Sequence, residues 1–187
     1  MYLDIDGLSV YYERQGKGSP VLLLHGWGCN TATMAPVAKL IESMGMEAVS
    51  FDFPGHGESD FPPASWGIED YAVYTEKFIR RLGIVPCDII CHSFGGRVSL
   101  ILAATRPELI NRLVITGGAG LPPKHGLDYY IKVYSYKLVK KLAVSPFLNK
   151  LFKLDEKMEI AGSEDYRSLS PEMRRVFTRV VNKDLGY

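Results

Sequence analysis

Cysteine, histidine and net charge are all scarce in this 187-residue chain, and each scarcity closes off a class of function. The three cysteines, Cys29, Cys87 and Cys91, are odd in number and form no C-x-x-C. Neither a disulfide framework nor a zinc knuckle is expected, and reduced thiols in a cytoplasmic setting fit best. Only four histidines are present, and no group of His, Cys and acids has metal-ligand spacing, so neither a metal nor a cofactor is expected. Lys and Arg number 22 against 21 Asp and Glu, a formal charge of +1. That leaves no field to gather polyanions or anionic lipid, and nucleic-acid or membrane-surface partners are not expected. No apolar run approaches the roughly 20 residues that cross a bilayer. The N-terminus, Met1-Tyr-Leu-Asp-Ile-Asp6, carries acids where a secretory signal needs a basic stretch and then an apolar one. Gly16-Lys-Gly-Ser19 lacks the spacing of a phosphate-binding loop and reads as a turn.

What remains is an ordinary globular balance, 47% hydrophobic and 23% charged, which favours one domain. Tyr2–Ile5 and Leu8–Arg14 read as two strands around Gly7, an antiparallel hairpin followed by a turn at 16–20. Val21–Leu24 is a short apolar run without alternation, the pattern of a strand buried on both faces of a parallel sheet. Glu47–Asp52, Cys87–Cys91 and Arg112–Thr116 repeat it, and helical stretches at Thr31–Met44, Ile68–Leu82 and Phe94–Thr105 alternate with them. Strand, helix, strand, helix predicts a mostly parallel α/β sheet with right-handed crossovers. After Gly120 the pattern changes: Leu121-Pro-Pro123 breaks the chain and Lys/Tyr/Leu-rich helical sequence follows without a further strand signal. Ile131, Tyr134, Leu138 and Leu142 form a helical apolar stripe, and Pro171 opens another helix with Ser170 as its expected N-cap.

Chemistry concentrates in three segments, each just past the end of an apolar strand, where open parallel sheets bind ligands. In Asp88-Ile-Ile-Cys-His-Ser-Phe-Gly-Gly-Arg-Val98 a buried strand runs straight into a helix with Ser93 at the junction. Such a serine sits on a sharp turn that lifts its hydroxyl clear of the sheet, over a helix start that favours negative charge. Gly95 and Gly96 supply the small residues that close strand-helix approach requires. His25-Gly26-Trp27-Gly28 and Asp52-Phe-Pro-Gly-His-Gly-Glu-Ser59 follow two neighbouring strands. The backbone N–H groups of Trp27 and Phe94 are then expected to face the oxygen of a carbonyl attacked by Ser93, each such donor being worth roughly 3 to 4 kcal/mol when lost. His25 and His56 are read as bracing their turns, and Trp27 as lining a pocket.

With His25-Gly26, Asp52-Phe-Pro-Gly-His-Gly-Glu-Ser59 and His92-Ser-Phe-Gly-Gly96 in this order, the chain resembles the N-terminal part of an α/β-hydrolase of the esterase/lipase, peptidase or C–C hydrolase type. The resemblance covers 1–120 by motif and 121–187 more loosely, as a helical cap inserted after the sixth strand. It implies Ser93 as nucleophile and the Trp27 and Phe94 N–H groups as oxyanion hole, with His25, Gly26, His92, Gly95 and Gly96 shaping the pocket. It implies hydrolysis of an ester, amide or C–C bond of a small, largely apolar substrate under the cap, with no cofactor. Cys91 stands where the G-x-S-x-G pattern has its first glycine, and cysteine is small enough to serve there.

A serine needs a base to remove its proton and an acid to orient that base, in the chain order Ser, acid, His. After Ser93 the histidine is His125, and the acid between them is Glu108. Glu108 precedes the strand at 112–116 and so lies at the end of the sheet away from Ser93, roughly 16 Å off. The family's acid and histidine follow two further strands, which are absent here, so the chain is expected to be shortened. A catalytically incompetent fragment and a non-catalytic binding module on the same fold stay open as alternatives. The strand at 112–116 is then an exposed sheet edge, expected to drive self-association or pairing with a separate C-terminal part.

Overall fold

The computed structural model describes residues 1–118, 126–128, 131, 133–135 and 169–185. Six strands, β1 (Tyr2–Ile5), β2 (Leu8–Gly16), β3 (Pro20–Leu24), β4 (Glu47–Phe51), β5 (Cys87–His92) and β6 (Ile110–Thr116), form one sheet in the order β1-β2-β4-β3-β5-β6. The first three form an antiparallel flank, β1 with β2 and β2 with β4, while β3, β4, β5 and β6 run parallel. β6 starts at Ile110, ahead of the expected Arg112, because Ile110 already pairs with Cys87. Among the described residues β6 pairs with β5 alone.

Parity along β3 sorts the core. Val21 and Leu23 face α1 (Thr31–Ser43), packing with Met34, Ala38, Ile41 and Ala48. Leu22, Val49 and Ile89 share one register row and are fully buried on the opposite face. There α2 (Ile68–Leu82) stacks Phe78 on Phe51 of β4, ring centroids 4.2 Å apart. α3 (Phe94–Thr105) covers β5 beside it. Each of these buried Val, Leu, Ile, Met and Phe side chains contributes about 1.5–3 kcal/mol over its exposed state.

The crossovers also decide where a site forms. The chain leaves β3 through α1 to β4 on one side, and returns through α2 to β5 on the other side of β3. The loops after β3 and β5 therefore diverge to opposite faces, opening a crevice at the carboxyl ends of these strands.

Contacts divide the chain into two compact units, Met1–Leu121 with Pro171–Tyr187, and Pro122–Ser170. This differs from the expected division into 1–120 and 121–187, in that the C-terminal helix α4 (Pro171–Asn182) groups with the sheet domain. The reason is its apolar stripe: Met173, Val176 and Val180 are buried there. In the other unit, 127–128, 131 and 133–135 are helical. The rest of the stripe expected over 128–142, and His125, lie outside the described residues.

Candidate active site

Ser93 stands between the last residue of β5 and the first of α3, at φ 46 and ψ −102. Positive φ is rare for a residue with a β-carbon, and here it is what turns the chain from strand to helix in one residue. The turn is tied on both sides. The Ser93 N–H donates to the Thr116 carbonyl at the end of β6 (3.0 Å), and the Gly95 N–H donates to the His25 carbonyl after β3 (3.1 Å). The Gly96 N–H donates back to the Ser93 carbonyl at 3.0 Å.

The glycines explain how α3 comes this close. A β-carbon on Gly95 would lie 2.6 Å from the Leu24 carbonyl oxygen, and one on Gly96 2.9 Å from Cγ2 of Ile115. Gly26 brings the β3 loop to the elbow in the same way, since a β-carbon there would sit 3.7 Å from Cβ of Ser93 and 3.1 Å from Cδ2 of His92. The structure thus gathers Gly26, His92, Ser93, Gly95 and Gly96 into one spot, with Trp27 and Phe94 next in chain. Among the described residues no acceptor takes the Trp27 or the Phe94 N–H.

The histidines divide by environment. His25 is fully buried; its Nε2 accepts the Phe53 N–H at 3.0 Å, so Nδ1 carries the proton and donates to the Gly26 carbonyl at 2.7 Å. Burial pushes its pKa down to about 4, and with both nitrogens engaged it holds the β3 and β4 loops together as a neutral ring. His56 is also buried, with its pKa pushed down to about 4 chiefly by burial, and its Nδ1 donates to the Pro54 carbonyl at 3.3 Å. His92 is exposed. Thr116 Oγ1 donates to the Cys91 carbonyl at 3.0 Å and receives Nδ1–H of His92 at 3.1 Å. A β-carbon on Gly117 would fall 2.7 Å from Cε1 of that ring.

Cys91 is buried, its Sγ–H donating to the Val114 carbonyl at 3.3 Å, and burial raises its pKa, which keeps it an inert thiol beside the elbow. Glu108 lies in the short turn before β6, at the opposite end of the sheet from Ser93, paired with Arg80 at 3.3 Å.

Two contributions depend on partners remote in sequence. The buried Asp52 carboxylate accepts the Thr31 N–H that opens α1 at 2.6 Å and the Glu58 N–H at 2.9 Å, so it locks the β4 loop onto a helix start. The motif around it was legible; the partner at Thr31 was not, because it lies far away in sequence. Around Trp27 an aromatic cluster has formed, with ring centroids at 4.7 Å to His56, 5.1 Å to Phe94 and 5.1 Å to Phe177 of α4. Phe53 and Tyr71 complete it, the Tyr71 hydroxyl donating to the Pro54 carbonyl at 3.0 Å. The result is a continuous aromatic cluster that joins the β3 and β4 loops to α2, α3 and α4.

Comparison with known proteins bears on the fold. A family model described as alpha/beta hydrolase fold matches residues 19–185. The chain is similar to (E)-2-((N-methylformamido)methylene)succinate hydrolase of Acinetobacter baylyi, 29% identical over 110 residues, covering 59% of this chain and 41% of that protein. It is also similar to the sn-1-specific diacylglycerol lipase of Mus musculus, 29% identical over 96 residues, 51% of this chain and 31% of that one. It therefore spans well under half the length of these curated relatives. Among solved structures, an alpha/beta hydrolase enzyme from a Medee basin deep-sea metagenome library superposes with a TM-score of 0.68 at 17% identity, over 98% of this chain and 73% of that one.

Proposed function

Because the chain belongs to the alpha/beta hydrolase fold family, we propose that it is built for hydrolysis through Ser93, on an ester, amide or C–C bond of a small, largely apolar substrate. The observation that carries this reading is the strained backbone of Ser93, φ 46, held between the Thr116 and His25 carbonyls. Strain of this kind costs about 1–3 kcal/mol and persists where the surroundings impose it. Ser93 Oγ attacks the carbonyl carbon, and the negative charge that develops on the carbonyl oxygen is received by the N–H groups of Trp27 and Phe94. The leaving group departs with a proton, an acyl-Ser93 ester remains, and water cleaves it.

The proton from Ser93 needs an acceptor, and the described histidines argue against supplying one. His25 has both nitrogens occupied, His56 is buried in the aromatic cluster, and His92 is turned to Thr116. This favours a second reading, an elbow that binds or is acylated without rapid turnover. Reaction with an alkyl fluorophosphonate, mapped by peptide mass spectrometry, tests both. A phosphonyl group on Ser93 that is lost in Ser93→Ala supports the nucleophile, and release of product from p-nitrophenyl esters at the same time supports turnover. Release of no more than one p-nitrophenol per protein, with the acyl group left on Ser93, supports the second reading, and no modification of Ser93 overturns the first.

A further inference from the structure

Helix α4 lies far from Ser93 in sequence, yet it closes on the same loops. The tip of Met173 covers Gly55 so tightly that a β-carbon there would be 2.6 Å from Cε, and Gly55 itself is at φ 84. One turn on, the Phe177 ring meets Trp27 edge to face at 5.1 Å. The far end is pinned as well: Nη1 of Arg179 donates to the Ala64 carbonyl at 2.9 Å, Nη2 of Arg97 donates to the Lys183 carbonyl, and Lys183 Nζ pairs with Glu69 at 2.7 Å. Arg97 is buried on α3 one helical turn after Ser93, its N–H donating to the Ser93 carbonyl at 3.3 Å. The helix that starts under the nucleophile therefore also holds the end of α4.

Within the aromatic cluster Phe53, Tyr71 and Phe94 are fully buried, whereas Trp27 and Phe177 keep exposed surface. Trp27 follows Gly26, which abuts Ser93. The two half-buried rings thus form the open face of the cluster, and Trp27 joins that face to the elbow through Gly26. We propose that α4 is a fixed wall of the space that takes the apolar arm of the substrate. Phe177 limits the length of that arm, and Arg97 is a positioning residue that holds the wall. This rests on the reading of Ser93 as the reacting group only for where the space lies.

The test uses unreactive n-alkyl methylphosphonate anions from ethyl to decyl, titrated against the full chain by tryptophan fluorescence. In the wild-type protein affinity rises about fourfold per methylene up to a limiting length and then stops rising. Phe177→Ala moves that limit two or three methylenes longer, and Phe177→Trp moves it shorter. Arg97→Met blurs the limit, so that long chains gain affinity while the ethyl ester binds as in the wild type. The same limit in all four proteins, or no dependence on chain length in the wild type, overturns the proposal. Fluorophosphonate reaction of the wild-type protein is scored separately. A shifting limit with an unreactive Ser93 leaves the wall standing and removes the nucleophile, and a reactive Ser93 with an unmoved limit does the reverse.

Discussion

Position 93 carries a backbone conformation that a β-carbon disfavours, φ 46 with ψ −102, and the cost shows when the β-carbon is removed. Ser93→Gly should raise stability to urea by about 1 kcal/mol, the relief of strain exceeding the extra freedom of glycine in the unfolded chain. Ser93→Ala should give no such gain, and both should abolish modification by fluorophosphonate; a glycine variant less stable than the alanine variant contradicts the strain. The two buried histidines make a prediction with a definite sign. His25 and His56 have folded pKa values of about 4 against an unfolded value near 6.5. Below pH 6.5 the unfolded chain takes up protons that the folded one refuses. The stability they contribute is therefore complete above about pH 6.5 and is lost as pH falls toward 4, by an amount on the order of 3 kcal/mol for each. Urea midpoints at pH 7 and pH 5 check this: a clear drop is expected, shallower in His56→Gln, and equal midpoints contradict it. At this scale much was legible in the sequence. Ser93 declares itself by lying between an apolar strand and a glycine pair, and Gly26 and Trp27 by following another strand. Asp52 did not, since its role depends on the Thr31 amide at the start of a separate helix.

Between elements, the approach of α3 to β3 sets the elbow, and the two glycines of α3 carry unequal shares. A β-carbon on Gly95 meets main-chain atoms of Leu24 at 2.6 and 2.9 Å, whereas one on Gly96 meets the methyl end of Ile115 at 2.9 Å. Main chain in the middle of a sheet cannot retreat, but a side-chain methyl can. Gly95→Ala is therefore expected to cost about 3 kcal/mol or more and to abolish reaction at Ser93, and Gly96→Ala to cost about 1–2 kcal/mol with reaction reduced. Urea unfolding of the two variants checks the order, and equal losses contradict it. Strands and helices as far as Thr116 were legible because periodicity there is clean: β3 has no polar residue within Val21–Leu24, and α2 buries Ile68, Tyr71, Ala72, Thr75, Phe78 and Ile79 at helical spacing. The helix at Pro171–Asn182 was legible as a helix from its opening proline and the serine before it. Its partner was not, because a stripe of Met173, Val176 and Val180 says that a face is buried without saying against what.

For the whole molecule, one edge of the sheet among the described residues is β6, where Val114 keeps 52% of its surface exposed. Strand edges with free N–H and C=O groups recruit further strands, so concentration-dependent self-association is expected in light scattering. A clean monomer at high concentration contradicts that expectation. The order β1-β2-β4-β3-β5-β6 follows from alternating elements and right-handed crossovers, and it places the β3 and β5 loops on either side of one crevice. The division of the C-terminal 67 residues is the part that local patterns do not write, because it depends on Arg97, Glu69 and Ala64 meeting Lys183 and Arg179 across the fold. The proposed chemistry rests on one claim, that the Ser93 hydroxyl lies where the Trp27 and Phe94 amides converge. The crystal structure of the protein after reaction with an ethyl fluorophosphonate tests that claim most directly. The expected adduct has phosphorus bonded to Ser93 Oγ with its phosphonyl oxygen about 3 Å from the nitrogens of both Trp27 and Phe94. An adduct on another residue, or a phosphonyl oxygen directed away from those amides, contradicts it.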